Sequence, residues 1–326
     1  MRPTLPVFVT ALAALPALAQ AEVPSVVTDI PPVQSLVAQV MGDLGKPEVL
    51  LGQNSDPHHY QLRPSQARDL QDADLVFWIG PRLTPWLERA LDGVEGKGQS
   101  IELLQAPGTN VRSFSAQDPH DHSADLDEDE DHAEAGHEDH AEAGHDDHAE
   151  VDQMTDPHAW LDPDNAKFWL GLIAEDLSKA DPEHADTYAA NAKSAQARIE
   201  TLDAKLKAEF APVADMPFLV YHAAYGYLAD HYDLMVLGAL SPSDASTPGA
   251  AHLVSLRDEA SAKDAVCAFP EANHDPKMVE ILVDGTPVTL GKPLDPSGTA
   301  LTYGPGLYED LMQGMADTIT ACLSQG

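Results

Sequence analysis

The chain has 326 residues, long enough for one large or two ordinary folded units, and its 43% hydrophobic and 22% charged content excludes wholesale disorder. Acidic residues outnumber basic ones 54 to 18, for a net charge of −36 with histidine neutral. That field repels phosphate backbones and draws in cations, so nucleic-acid binding is excluded.

Residues 1–21 read as an export signal. Arg2 supplies the positive start, Leu5 to Ala19 the apolar stretch, and Ala19-Gln20-Ala21 a small-x-small cleavage site. The apolar run is short and is broken by Pro6 and Pro16, which argues against a membrane-spanning helix. A soluble mature chain is expected from about Glu22, without a lipid anchor because no cysteine lies near the cleavage site.

From there strands and helices alternate. Val23–Thr28 predicts a strand, Val33–Met41 a helix, Val49–Leu51 a short strand, Pro64–Ala73 a helix, Leu75–Ile79 a strand, and Pro85–Leu91 a helix. The rhythm implies a parallel sheet covered by helices. It breaks at an insertion, residues 118–152, which holds 16 Asp/Glu and no Lys/Arg. A near-octapeptide repeat fills its second half, beginning Asp131-His132-Ala133-Glu134-Ala135-Gly136-His137-Glu138. So little apolar surface cannot repay the entropy of ordering, and a disordered segment is expected.

Beyond it, Asn165–Ala180 predicts a helix and Pro182–Phe210 an unusually long one, with apolar residues at three- and four-residue intervals. A second strand–helix set follows, with strands at Phe218–Val220, Leu234–Leu240, Val266–Phe269 and Pro287–Leu290. The pattern suggests two similar lobes, 22–181 and 212–326, joined by a linker helix over 182–211. The two cysteines, Cys267 and Cys322, form either one disulfide or two buried thiols.

Histidine carries the chemistry. Seven of the fifteen (His120, His122, His132, His137, His140, His145 and His148) lie in the acidic insertion, where imidazole and carboxylate together suit weak, exchangeable sites for borderline ions such as Zn²⁺. Four others stand out by context. His58 and His59 follow the Val49–Leu51 strand, His158 lies in Asp156-Pro157-His158-Ala159-Trp160, and His222 ends the strand Phe218-Leu219-Val220-Tyr221-His222. Residues just past the carboxyl ends of parallel strands face the crevice where such sheets bind ligands. Three imidazoles meeting there would make a Zn²⁺ site, although neither H-E-x-x-H nor C-x-x-C occurs.

Several of these segments together carry a family resemblance. They are His58-His59-Tyr60-Gln61-Leu62-Arg63-Pro64-Ser65, Trp78-Ile79-Gly80-Pro81, Asp156-Pro157-His158-Ala159-Trp160, Tyr221-His222-Ala223-Ala224-Tyr225-Gly226-Tyr227 and Leu294-Asp295-Pro296. Over nearly the whole mature chain the sequence resembles periplasmic zinc-binding proteins of ABC importers, the ZnuA group of the cluster A-I metal solute-binding proteins. The resemblance implies an α/β fold of two Rossmann-like lobes joined by a long rigid backbone helix, with the metal between them. It implies a monomer in the periplasm, a permease of the inner membrane as partner and, as a further candidate, a periplasmic zinc metallochaperone. It points to His58, His158 and His222 as ligands, with His59 the weaker candidate of its pair. Asp295 matches an acidic position that completes the site in some relatives, and Glu271 a second acidic position near it. Cys267 and Cys322 match a disulfide pair of some zinc members. Manganese relatives carry a carboxylate where His222 stands, so an imidazole there favours zinc. One departure is Pro57, which replaces an acidic residue that in some members swings onto the metal; any such contact here must come from Asp56, His59 or the insertion.

The implied function is capture of zinc without catalysis. Two rivals remain at this level. Three imidazoles with an open fourth position also describe a zinc hydrolase, with Glu271 as its base, although no nucleophile elbow or phosphate loop is present. A zinc buffer without a transporter is the other.

Overall fold

A computed structural model describes residues 23–93, 96–114, 155–241 and 249–325. The export signal, the acidic insertion and its seven histidines lie outside these residues.

The first lobe is built on strands β1 (Val26–Thr28), β2 (Glu48–Val49), β3 (Leu75–Trp78) and β4 (Gln99–Glu102), all parallel, in the order β2-β1-β3-β4. The second lobe repeats that order with β5 (Phe218–His222), β6 (Val236–Ser241), β7 (Cys267–Phe269) and β8 (Thr289–Leu290), again parallel, as β6-β5-β7-β8. β1, β3 and β7 are buried along their whole length, as expected for strands covered on both faces.

Helix starts follow local chemistry. Proline opens α1 (Pro31–Met41), α2 (Pro64–Asp72), α3 (Pro85–Gly93) and α4 (Pro163–Ala180), where its fixed φ suits the first turn and no N–H is missed. Asp162 caps α4 by accepting from Asp164 N at 2.8 Å, and the Gln66 side chain accepts from Arg63 N at 2.9 Å at the head of α2.

The connecting rod is α5 (Ala185–Phe210), 26 residues or about 39 Å long, entered through a 3₁₀ turn at Pro182–His184. Its buried face is Tyr188, Ala192, Ala195, Ile199, Asp203, Leu206 and Phe210. Leu202, which the apolar spacing also predicts on that face, is only half-buried, and Asp203 takes the inner position. α5 packs against α1, α4 and the C-terminal helix α9 (Leu307–Leu323), which also packs on α1. The second lobe is completed by α6 (Gly226–Tyr232), α7 (Ala250–Ala262) and α8 (Lys277–Val283).

The two lobes are stitched together at several points. One apolar core runs from Val26 and Ile30 through Trp160 and Trp169 to Phe218, Phe269 and Tyr308. Trp160 Nε1 donates to Pro296 O at 2.8 Å, and Tyr308 Oη donates to Trp160 O at 2.9 Å. Opening the lobes like a hinge would break this shared packing, so the fold itself favours a nearly fixed crevice. Cys267 at the start of β7 is disulfide-bonded to Cys322 in the last turn of α9. Among the described residues no helix is long and apolar enough to cross a membrane.

Three differences from the sequence expectation have simple causes. The first strand starts at Val26 rather than Val23, after Pro24. β4 has no separate sequence signature, because its Gln99-Ser100-Ile101-Glu102 buries only Ile101 at the sheet edge. β2 is shifted to Glu48–Val49, although Leu50 N and Leu51 N still donate to Thr28 O and Asp29 O, each at 2.9 Å.

Candidate metal centre

The loop after β2 and the segment before α4 present histidines by the same local device. In Asp56-Pro57-His58, His58 N donates to Asp56 Oδ1 at 2.7 Å; in Asp156-Pro157-His158, His158 N donates to Asp156 Oδ1 at 3.0 Å. Each is an Asx turn, in which an aspartate side chain replaces a backbone acceptor two residues on. Trp86 Nε1 pins the first turn by donating to Pro57 O at 2.7 Å. The third histidine, His222, is the last residue of β5 in the opposite lobe.

These three residues converge. Their ligand-type atoms lie within 4.8 Å of one another, and the ring centroids are 5.2 Å (His158–His222), 5.6 Å (His58–His158) and 6.3 Å (His58–His222) apart. His158 and His222 are buried and His58 is half-buried.

Behind two of the rings stands a buried carboxylate. Asp156 Oδ1 is 2.7 Å from His158 Nδ1, and Glu271 Oε1 is 2.6 Å from His222 Nδ1. Tyr225 Oη donates to the same Glu271 oxygen at 3.0 Å. A carboxylate accepts, so each Nδ1 carries the proton and each Nε2 turns its lone pair inward. The two Nε2 atoms face each other across 3.3 Å. Two lone pairs at that distance repel unless a cation lies between them. A tetrahedral zinc with bonds of about 2.0–2.1 Å sets its nitrogens about 3.3–3.4 Å apart, which matches.

The other acidic and histidine candidates are placed differently. His59 is exposed. Asp295 accepts from Thr299 N at 3.1 Å and Ala300 N at 2.8 Å, capping a turn, and it is not in the converging group. Burial pushes its carboxyl above the ordinary value, against the pull of those N–H donors.

A second cluster, Asp162, Asp164 and His231, lies where α6 meets the head of α4. His231 has Asp162 Oδ1 3.2 Å from Nδ1 and Asp203 Oδ1 2.8 Å from Nε2. Burial opposes a charged ring, but hydrogen bonds to Asp162 and Asp203 outweigh it and raise its pKa above the ordinary 6.5. With a carboxylate on both nitrogens, this is an imidazolium tying α6 to α4 and α5. A raised folded-state pKa gives stability that is complete below about pH 6.5 and lost as pH rises through the folded value. Urea unfolding of chelator-treated protein should therefore show a loss of stability on the alkaline side of pH 6.5, and His231→Gln should flatten it. An equal slope in both proteins would refute the assignment. The periodicity of α5 carries no signal for the Asp203–His231 pair.

A family model described as ZnuA, zinc-uptake complex component A, periplasmic, matches residues 26–322. The chain belongs to that family. It is 51% identical over 325 residues to the high-affinity zinc uptake system protein ZnuA of Paracoccus denitrificans, covering 99% of each chain. It is 35% identical over 307 residues to the protein of the same description from Brucella suis, covering 92% of each. Among solved structures, a crystal structure of ZnuA superposes with a TM-score of 0.71 at 23% identity, over 92% of this chain and 99% of that one. The solute-binding protein FpvC of Pseudomonas aeruginosa with Mn²⁺ superposes at 0.74 with 22% identity, over 93% and 99%. At such identities the structural likeness shows the shared fold: two α/β lobes on a long ZnuA-type backbone helix.

Proposed function

We propose that this protein is the periplasmic zinc-capturing subunit of an ABC importer, holding Zn²⁺ through His58, His158 and His222 and delivering it to a membrane permease. The observation that carries this reading is the pair of inward-facing Nε2 atoms 3.3 Å apart, each ring held from behind by a carboxylate. The third imidazole within reach supplies a borderline nitrogen donor rather than the hard oxygen set that suits manganese. The zinc-uptake descriptions of the Paracoccus and Brucella relatives point the same way.

A binding role fits the geometry better than catalysis. Glu271, the candidate base of a hydrolase, is engaged behind His222 with that ring and Tyr225, and it is not in the converging group. Zinc-loaded protein should be silent in a hydrolytic screen. A strain lacking the gene should fail under zinc starvation, which separates an importer subunit from a stand-alone buffer.

The insertion over 118–152 acts in this reading as an antenna, raising local zinc concentration beside the tight site. Calorimetric titration of the mature chain should give one tight event and several weak ones. Deleting 118–152 should abolish only the weak ones; loss of the tight event would overturn the division.

A further inference from the structure

Arg112 stands at the end of the first lobe's last described strap, one residue before Ser113, which pairs with Thr155 in an antiparallel bridge. Its backbone and side chain converge on one residue. Arg112 O accepts from Asp156 N at 2.8 Å, and Arg112 Nη1 donates to Asp156 Oδ2 at 3.2 Å. Asp156 thus divides its two oxygens: Oδ1 serves the His158 ring and backbone, and Oδ2 serves the guanidinium. The Asp156 side chain is 0% exposed, so its charge needs a partner, and Arg112 provides one.

The same arginine reaches the opposite lobe. Arg112 Nε donates to Asp230 Oδ2 at 2.8 Å, and Arg112 N donates to Tyr227 Oη at 2.8 Å; that hydroxyl donates in turn to Asp156 O at 3.0 Å. Asp230 and Tyr227 both lie on α6, which begins four residues after His222. The guanidinium passes directly over Gly226 at the head of α6, where a Cβ would collide with Arg112 Nη1 and Cζ. Glycine leaves room for the arginine.

We propose that Arg112 is a positioning residue for the metal centre: it fixes Asp156, which fixes the His158 ring, and it ties that first-lobe ligand to the helix that follows the second-lobe ligand. The inference rests on His158 being a zinc ligand. A planar fork is required, because one oxygen of Asp156 and one of Asp230 must be engaged from different edges of the same group. Lysine offers only a point charge and can serve one carboxylate well.

Mature full-length protein is tested for Zn²⁺ affinity by chelator competition and for ligand geometry by the visible spectrum of bound Co²⁺. Arg112→Ala should weaken zinc binding about 10–100-fold and alter the cobalt bands, and Arg112→Lys should recover part of the loss. Gly226→Ala keeps the arginine but displaces its tip, and should produce the same spectral change with a smaller loss. That variant decides the matter if Arg112→Ala fails to fold. Wild-type affinity in both Arg112→Ala and Gly226→Ala would overturn the proposal, as would weakened binding with an unchanged cobalt spectrum, which marks a merely structural clamp. His158→Ala separates the two levels: loss of tight zinc binding supports the ligand assignment, and retention would sink that assignment itself.

Discussion

His158→Ala and His222→Ala should each lower zinc affinity by roughly two orders of magnitude while the apo protein keeps its fold. Zinc held by four ligands yields about 10–16 kcal/mol at neutral pH, so one ligand accounts for about 3 kcal/mol, or roughly a hundredfold. The loss is not limited to one bond. Removing the His158 ring leaves Asp156 Oδ1 without its 2.7 Å partner, and removing the His222 ring does the same to Glu271, whose oxygen lies 2.6 Å away. Each buried carboxylate then faces the crevice, where it can recruit a water or a harder ion. Discrimination between Zn²⁺ and Mn²⁺ should narrow together with affinity. His59→Ala, at an exposed position, should bind as wild type. Competition against a chelator of known affinity measures all three. Tight binding that survives both ring deletions would rule out the three-histidine centre.

Loss of the disulfide is the largest expected effect on stability. Cys267 and Cys322 are 55 residues apart in sequence, and opening a loop of that length costs about 4 kcal/mol in the chain-entropy model. For a mature chain of this size, with an unfolding entropy of about 2.1 cal/mol/K per residue, that corresponds to a fall in melting temperature of roughly 6 °C. The bond joins the middle of the second sheet to α9, which packs on α1 and α5, so its loss also loosens the seam between the lobes. Cys267→Ser/Cys322→Ser protein should melt lower by that margin, measured calorimetrically without zinc. It should still bind zinc tightly at 20 °C, because neither sulfur touches the three imidazoles. An unchanged melting temperature would show that the packing of β7 and α9 alone fixes that seam.

Much of the architecture was legible along the chain because its causes are local. Buried parallel strands need unbroken apolar runs, such as Leu75-Val76-Phe77-Trp78, and proline-led starts mark the first-lobe helices α1, α2, α3 and α4. Both are properties of neighbouring residues. His58 and His222 were singled out by their position at or after strands, and His158 by its Asp-Pro-His-Ala-Trp context; all three lie in family-like motifs. Where local signal is thin the reading failed: β4 buries a single residue and left no trace.

Packing alone settled what lies around those histidines. The three histidines are separated by 100 residues between His58 and His158 and by 64 between His158 and His222, and only the tertiary fold brings their rings within 6.3 Å. Asp156 could be guessed from its place two residues before His158, since an Asx turn is local. Glu271 could be placed near the centre by resemblance, but not against His222 Nδ1, 49 residues away in sequence. The Asp203–His231 pair and the reach of Arg112 to Asp230 had no linear signature, because each depends on the angle at which one helix meets another. Covalent order determined the fold class, the direction of every strand and the kinds of donor available. Distances between residues far apart in the chain are set by side-chain packing over the whole core, and those distances gather three scattered imidazoles into one cluster.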